Sequence, residues 1–224
     1  MTFSIVARCR ATGMFGVAIS SSSPAVAARC PFARAGVGAV STQNVTDPAL
    51  GPAILDLIED GATAWQALDS IVGSRANIEY RQLIAIDRTG GTAVFSGTLA
   101  LGVHASAEGS DAVSAGNLLA RPDVPRAMIE GFAATEGHLG DRLLVALESA
   151  VRAGGEAGPV HSAGLLLVDG VSWPVGDLRV DWDDADPIGK LAKLWQLYKP
   201  QLEDYVTRAL EPASAPGFGV PGDV

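Results

Sequence analysis

The chain has 224 residues, of which 48% are hydrophobic and 18% charged, so it is able to bury a large core. Its formal net charge is −9 and it has no cluster of lysine and arginine, which argues against a nucleic-acid-binding surface. No apolar run is long enough to span a bilayer, and the first residues lack the order of a signal peptide. A cytoplasmic protein without membrane contact is expected, with Cys9 and Cys30 as reduced thiols.

The chain opens on a predicted β-hairpin. Phe3, Ile5 and Ala7 alternate with other residues, which predicts a strand over residues 1–8. A glycine-containing turn follows, and residues 15–19 are predicted to return as a second strand. Because a chain start is ordered only when neighbouring structure holds it, this hairpin predicts that the first residues lie inside the fold.

Predicted strands and helix pairs alternate along the rest of the chain. The further predicted strands are residues 36–42, 80–87, 92–96, 101–105, 111–115, 162–169, 171–175 and 178–182. The predicted helices are residues 52–60, 63–72, 124–134 and 138–153, and a last helix that starts at Asp186-Pro187 and is interrupted by Pro200 before residues 202–210.

This order of elements predicts an α+β fold with two stacked sheets and helices outside them. Residues 80–87 support it, because they are apolar on both faces, as in a strand covered on both sides. Residues 1–211 are predicted to form a single domain. Residues 212–224 are rich in proline, glycine and alanine, which predicts a disordered tail.

Several segments resemble a bacterial family called domain of unknown function 1028, over nearly the whole chain to about Tyr198. The similar segments are residues 2–8, 20–22, 29–30, 33–40, 42–44, 51–52, 116–117 and 177–181. The resemblance implies a four-layer αββα sandwich of the N-terminal-nucleophile hydrolase type, in agreement with the predicted layers. It implies no known substrate.

Thr2 is the first candidate nucleophile. If Met1 is removed, Thr2 carries a hydroxyl and a free α-amine, whose pKa of about 7.7–8.0 leaves it partly neutral at pH 7. Such a pair can cleave the C–N bond of a linear or cyclic amide. The alternative is that Thr2 is only a small residue after a retained Met1, which would block the amine.

Cys30 with His104 is the rival nucleophile and base. Cysteine is the better nucleophile at neutral pH, and the neighbouring Arg29 favours a thiolate. The alternative is a buried structural cysteine without a catalytic role.

Polar residues after several predicted strands are candidates for binding a substrate. Those after the second and third strands can supply an oxyanion hole or can cap ordinary turns. Glu79 and Arg81 can bind a polar substrate end or pair with each other, and Asn117 can position a carbonyl or cap a loop. The candidate substrate-binding residues are Ser20, Ser21, Ser22, Arg29, Thr42, Gln43, Asn44, Glu79, Arg81 and Asn117.

The leading functional prediction is a small-molecule amidohydrolase, with a small-molecule-binding protein or a structural subunit as alternatives. The chain has 3 histidines without paired-ligand spacing, so neither a metal nor another cofactor is expected. A mean hydropathy of +0.25 predicts that some surface is buried between subunits, in a homodimer.

Overall fold

A computed structural model describes residues 1–220, which form ten strands and six α-helices. The strands are β1 (Thr2–Arg8), β2 (Phe15–Ser21), β3 (Pro31–Arg34), β4 (Gly38–Asn44), β5 (Arg81–Asp87), β6 (Thr92–Ser96), β7 (Ala105–Gly109), β8 (Ala112–Asn117), β9 (Ser162–Val168) and β10 (Gly176–Val180). The helices are α1 (Leu50–Glu59), α2 (Ala64–Ser74), α3 (Val124–Ala134), α4 (Leu139–Arg152), α5 (Pro187–Tyr198) and α6 (Leu202–Leu210).

The strands form two antiparallel sheets. The larger sheet has six strands in the order β10-β9-β2-β1-β8-β7, and the smaller has four in the order β3-β4-β5-β6. The first strand of the chain is therefore central, between β2 and β8. The prediction of a mixed α+β fold with two sheets is confirmed.

Strand β1 buries both of its faces. Phe3, Ile5 and Ala7 are fully buried in a cluster that includes α3 and α4. Val6, on the opposite face, packs in a second cluster together with Ile84 of β5. The alternation seen in the sequence is therefore that of a strand packed against helices on one side and against the other sheet on the other.

Helices α1 and α2 pack against the smaller sheet. Ile54 and Ile58 of α1 and Leu68 of α2 join Val40 and Leu83 in one buried cluster. The start of α2 is fixed by a capping box between residues Thr63 and Gln66, and each side chain accepts a hydrogen bond from the other's backbone N–H.

The space between the sheets is apolar over much of its length. Side chains of both sheets fill it, and each of them is at most a few per cent exposed to solvent. The cluster consists of Val6, Phe15, Val17, Ala39, Ile84, Ile86, Val113, Ala115 and Val168. Towards the start of β1 the facing side chains become polar, and this end contains the candidate site.

Two strand predictions are wrong. The seventh strand lies at Ala105–Gly109 rather than at residues 101–105. The side chains of Leu101 and Val103 are exposed, and each residue only accepts one backbone hydrogen bond from the residues that follow β8. Residues 171–175 form a bend, and the strand that pairs with β9 is Gly176–Val180. Strand β3 was not predicted, since its four residues carry little alternation.

The end of the chain follows the predicted helix signals. Asp186 accepts a hydrogen bond from the N–H of Gly189 at 2.8 Å, and Pro200 lies in a 3₁₀ turn between α5 and α6. Beyond α6, Arg208 donates to the carbonyls of Pro216 and Gly217 at 3.1 and 3.0 Å. Residues 221–224, part of the predicted disordered tail, lie outside the described residues.

No helix in the described part of the chain is both long and apolar enough to cross a membrane.

Candidate functional site

Thr2 starts the central strand of the larger sheet, and its side chain lies on the face between the two sheets. It stands opposite Asn117 of β8, and it is 5% exposed. Its hydroxyl donates to the carbonyl of Met1 and lies 3.3 Å from the Oγ of Ser21 on β2. A buried hydroxyl is thus held between two polar side chains, at the very start of the fold.

A chain of hydrogen bonds links Thr2 to a guanidinium. The Oγ of Ser21 donates to the Met1 carbonyl and lies 2.8 Å from the Oγ of Ser23. Arg29 donates to that Ser23 oxygen at 2.7 Å and to two carbonyls of the same turn at 2.7 and 2.9 Å. Within residues 1–220, Arg29 makes no salt bridge.

Buried amide side chains of both sheets continue the polar region beside Thr2. Ser4, next on the same face of β1, donates to Gln43 Oε1 at 2.6 Å, and Gln43 Nε2 donates to Gln82 Oε1 at 2.8 Å. Asn117 Nδ2 donates to the same Gln82 oxygen at 3.2 Å. These contacts cross from one sheet to the other and fix the orientation of each amide.

The Oδ1 atom of Asn117 is the exception in this network. It is buried and has no hydrogen-bond partner, although an unsatisfied buried acceptor destabilises a fold by about 1–3 kcal/mol. The amide cannot simply be rotated to relieve this, because Nδ2 is needed to donate to Gln82. An unpaired acceptor is therefore held on the residue that faces Thr2 in the register.

Glu156 adds a buried carboxyl that sequence reasoning missed. Its two oxygens accept from the N–H of Ser22 at 3.1 and 3.2 Å, and the residue is 4% exposed. Burial raises the pKa of Glu156 to about 7, against the lowering effects of the Ser22 hydrogen bonds and of the amino-terminal charge. Within the described residues no lysine, arginine or histidine forms a salt bridge with it.

A tight loop after α4 places Glu156. Gly154 and Gly155 adopt φ of 117° and 61°, which a residue with a side chain would resist, and Leu119 pairs with Glu156 in an isolated bridge. The loop therefore holds the carboxyl between the residues after β8 and the turn after β2. The sequence offered only the double glycine, which signals a helix end.

Three of the predicted substrate-binding residues point elsewhere. Ser20 is on the opposite face of β2 and donates to the Ser162 carbonyl at 2.9 Å. Thr42 donates to the Asp47 carbonyl at 3.2 Å. Asn44 has a left-handed φ of 75°, as is common for asparagine in a turn. Its Nδ2 donates to the carbonyl of Tyr80, and its Oδ1 accepts from the N–H of Leu101.

Glu79 and Arg81 lie at the rim of the site, but they do not pair with each other in the described structure. Glu79 accepts from the N–H and hydroxyl of Thr98 at 2.7 and 2.8 Å. These bonds lower its pKa. Arg81 donates to the carbonyl of Val45, and its Nε is buried without a partner. The alternative of a strand-end ion pair is therefore not what the described structure shows, and each group instead fastens a loop.

Cys30 and His104 are not brought together by a hydrogen bond in the described structure. Cys30 is 1% exposed, its Sγ lies 3.6 Å from the hydroxyl of Thr46, and burial raises the pKa of its thiol. His104 is exposed, with its Nδ1 3.2 Å from the carbonyl of Gly102. A thiol with a raised pKa that makes no hydrogen bond to a base within residues 1–220 is a poor nucleophile at neutral pH.

Among residues 1–220, no three side chains of histidine, cysteine, aspartate or glutamate come together in a way that could hold a metal ion.

The chain matches, over residues 2–191, the model of a family described as "Family of unknown function (DUF1028)". The crystal structure of the protein SPO2555 from Silicibacter pomeroyi, which carries the same family description, is 30% identical with a TM-score of 0.83. The similarity covers 92% of this chain and 91% of that chain.

Two structures of Anbu are more weakly similar. Anbu (ancestral beta-subunit) from Yersinia bercovieri has 11% identity and a TM-score of 0.37, covering 97% of this chain and 100% of that chain. An Anbu (Gly-1) mutant from Hyphomicrobium sp. strain MC1 has 14% identity and a TM-score of 0.40, covering 98% and 100%. No curated protein matches the chain. The match over residues 2–191 and the likeness to SPO2555 together establish that the chain belongs to the DUF1028 family.

Proposed function

We propose that the protein is a hydrolase that cleaves a linear or cyclic C–N bond of a small molecule, with Thr2 as nucleophile once Met1 has been removed. The observation that carries the proposal is the position of Thr2. Its hydroxyl is buried at the start of a central strand, between Ser21 and Asn117, at the polar end of the space between the sheets. A chain start is ordered only when neighbouring structure holds it, and here β2 and β8 hold β1 from both sides.

The proposal includes a four-layer αββα architecture of the N-terminal-nucleophile type. Helices α3 and α4 share a buried cluster with one face of β1, and helices α1 and α2 share another with β4 and β5. A third cluster contains residues of both sheets. In such a stack Thr2, at the start of β1, lies at one end of the space between the sheets.

The chemistry needs one residue to attack and to move a proton. The Thr2 oxygen bonds to the carbonyl carbon of the amide, and its proton passes to the Thr2 α-amine. That amine then delivers the proton to the leaving nitrogen as the C–N bond breaks, which leaves an ester on Thr2. Water attacks the ester, the C–O bond breaks, and the products are a carboxylic acid, an amine and the original threonine.

Groups beside Thr2 are suited to stabilise the oxyanion of this reaction and to orient the α-amine. The Ser21 hydroxyl, which donates to the Met1 carbonyl here, would be free to donate to the oxyanion that forms on the substrate. The unpaired Oδ1 of Asn117 would accept a hydrogen bond from the α-amine of Thr2 and orient it. Neither role requires a metal or another cofactor.

Cys30 with His104 gains no support as an alternative nucleophile, since no hydrogen bond joins the two side chains in the described structure. A binding protein without catalysis remains the competing proposal. It is favoured if Met1 stays on the chain, because the amine needed as base is then absent from Thr2.

The intact mass of the purified chain separates the two proposals first. We expect the mass to be lower than the sequence mass by one methionine. A panel of small linear and cyclic amides is then screened against the wild type and Thr2→Ala. The proposed function is overturned if Met1 is retained on all molecules, or if Thr2→Ala hydrolyses the same amide as fast as the wild type.

A further inference from the structure

Met1 shows how an aminoacyl group fits next to Thr2. Its carbonyl oxygen accepts hydrogen bonds from the hydroxyls of Thr2 and Ser21. A Cβ built on Gly158 would lie 3.7 Å from the Cε of Met1, so the methionine side chain runs along this glycine. Met1 is thus an amino acid whose carbonyl meets the proposed nucleophile and whose side chain has a defined place.

The positive charge of this aminoacyl group has a matching buried anion. Glu156 accepts hydrogen bonds from the N–H of Ser22, which directly follows Ser21 in the turn, and it has no cationic side-chain partner in residues 1–220. The amino-terminal charge on Met1 acts on this carboxyl through space. Burying a carboxyl without a cation is costly, which is a reason to expect that a cation binds there.

We propose that the substrate is a small α-amino acid amide with a free amine, and that Glu156 binds its α-ammonium while Ser21 meets its carbonyl. This inference rests on the proposed function, because the space is vacated only when Met1 leaves. The substrate's acyl group then lies beside the new Thr2 amine, with its side chain along Gly158. The overall reaction adds water to the amide and releases an α-amino acid and an amine.

The test compares two substrates that differ only in the amine: methionine 4-nitroanilide and its des-amino counterpart, 4-(methylthio)butanoyl 4-nitroanilide. For the wild type, kcat/KM should be about 10- to 100-fold higher with the amine present, the usual range for a hydrogen bond to a charged group. Glu156→Gln should remove this preference, so that its kcat/KM values for the two compounds agree within about 3-fold. The matched control Glu148→Gln, at a half-exposed residue of α4 that pairs with Arg152, should keep the preference.

A second variant covers the case in which Glu156→Gln does not fold. Gly158→Val narrows the space beside the methionine side chain, and Gly158 has no left-handed φ that would forbid the change. It should lower kcat/KM for methionine 4-nitroanilide about 10-fold relative to alanine 4-nitroanilide. An unchanged ratio would contradict the assigned place of the side chain.

The outcomes separate this inference from the proposed function. Equal hydrolysis of both anilides by a Thr2-dependent reaction overturns the inference alone. If neither anilide is hydrolysed, calorimetry measures binding of methioninamide and of the des-amino amide to the chain. Tighter binding of methioninamide that Glu156→Gln abolishes supports the inference, and equal or absent binding overturns it. Retained Met1 overturns both.

Discussion

Thr2 of β1 and Asn117 of β8 face each other in the antiparallel register, and the Oδ1 of Asn117 is buried without a hydrogen-bond partner. The pairing places a hydroxyl and an unused acceptor on adjacent strands at one end of the sheet. Natural folds leave few buried polar atoms unpaired, and those that remain often mark a place where a ligand or reacting group binds.

Thr2→Ala should lower kcat by at least about 10³-fold, because it removes the attacking oxygen and keeps the amine and the strand. Thr2→Ser should retain measurable activity, since only a methyl group is lost. Both are checked by steady-state kinetics on an amide that the wild type hydrolyses. Thermal melts should stay close to the wild type for both variants.

Cys30→Ala is the matched variant for the rival nucleophile. Cys30 is 1% exposed, so its loss should reduce the free energy of unfolding by about 0.5–3 kcal/mol while kcat changes little. An inactive but folded Cys30→Ala together with an active Thr2→Ala would transfer the nucleophile to Cys30.

Asn117→Ala should separate activity from stability. Without Oδ1 the Thr2 amine loses its acceptor, so kcat should fall about 10- to 100-fold with little change in KM. Stability should stay within about 1 kcal/mol of the wild type, because Gln82 Oε1 keeps its hydrogen bond from Gln43 and an unpaired acceptor is removed. Asn77→Gly, at an exposed left-handed turn, is the control and should change neither quantity.

Much of the fold could be predicted from local patterns. The alternation of Phe3, Ile5 and Ala7 identified a strand, and Asp186 before Pro187 identified a helix start. These signals succeed because they depend on neighbouring residues. The same approach failed at residues 101–105, where apolar side chains lie in an exposed loop.

The site depends on contacts that no local pattern contains. Thr2 and Asn117 are opposed because β1 pairs with β8, a choice made by the whole sheet. Glu156 was missed because a carboxyl in a glycine loop resembles any surface residue in sequence. Cys30 and His104 were paired by residue type alone, since a sequence gives no distance between them.

Removing side-chain volume from the space between the sheets should lower the free energy of unfolding. Ile84→Ala should lower the free energy of unfolding by about 2–5 kcal/mol, because Ile84 is fully buried among residues of both sheets. Chemical denaturation measures this value. Leu197→Ala, at a residue 70% exposed on α5, is the control and should stay within about 0.5 kcal/mol. Similar values for the two variants would contradict the packed inner space.

The predicted homodimer is tested by light scattering at micromolar concentration. Several large apolar side chains are exposed on loops at the rim of the site, among them Tyr80, Leu99, Leu101 and Val103, at 43–47% exposure. Exposed apolar surface of this kind is commonly covered by a partner. We expect the mass of two chains, and the mass of one chain would rule the dimer out.

Glu156 should make stability depend on pH in a direction opposite to that of a salt-bridged acid. Its pKa is raised from 4.5 to about 7, so the folded state binds the proton more tightly than the unfolded chain. The stabilising contribution is complete below pH 4.5 and is lost as the pH rises to about 7. The charged group acting on the carboxyl is the chain's own amino terminus, and Ser22 is its hydrogen-bond partner.

Glu156→Gln isolates this effect, because glutamine resembles the protonated acid at every pH. The free energies of unfolding of wild type and variant should agree near pH 4, and at pH 8 the variant should be more stable by up to about 3 kcal/mol. Urea denaturation across pH 4–8 measures the difference. If the Glu156→Gln difference does not vary with pH, the carboxyl is ionised in the folded state well below pH 7, and a cation already compensates it.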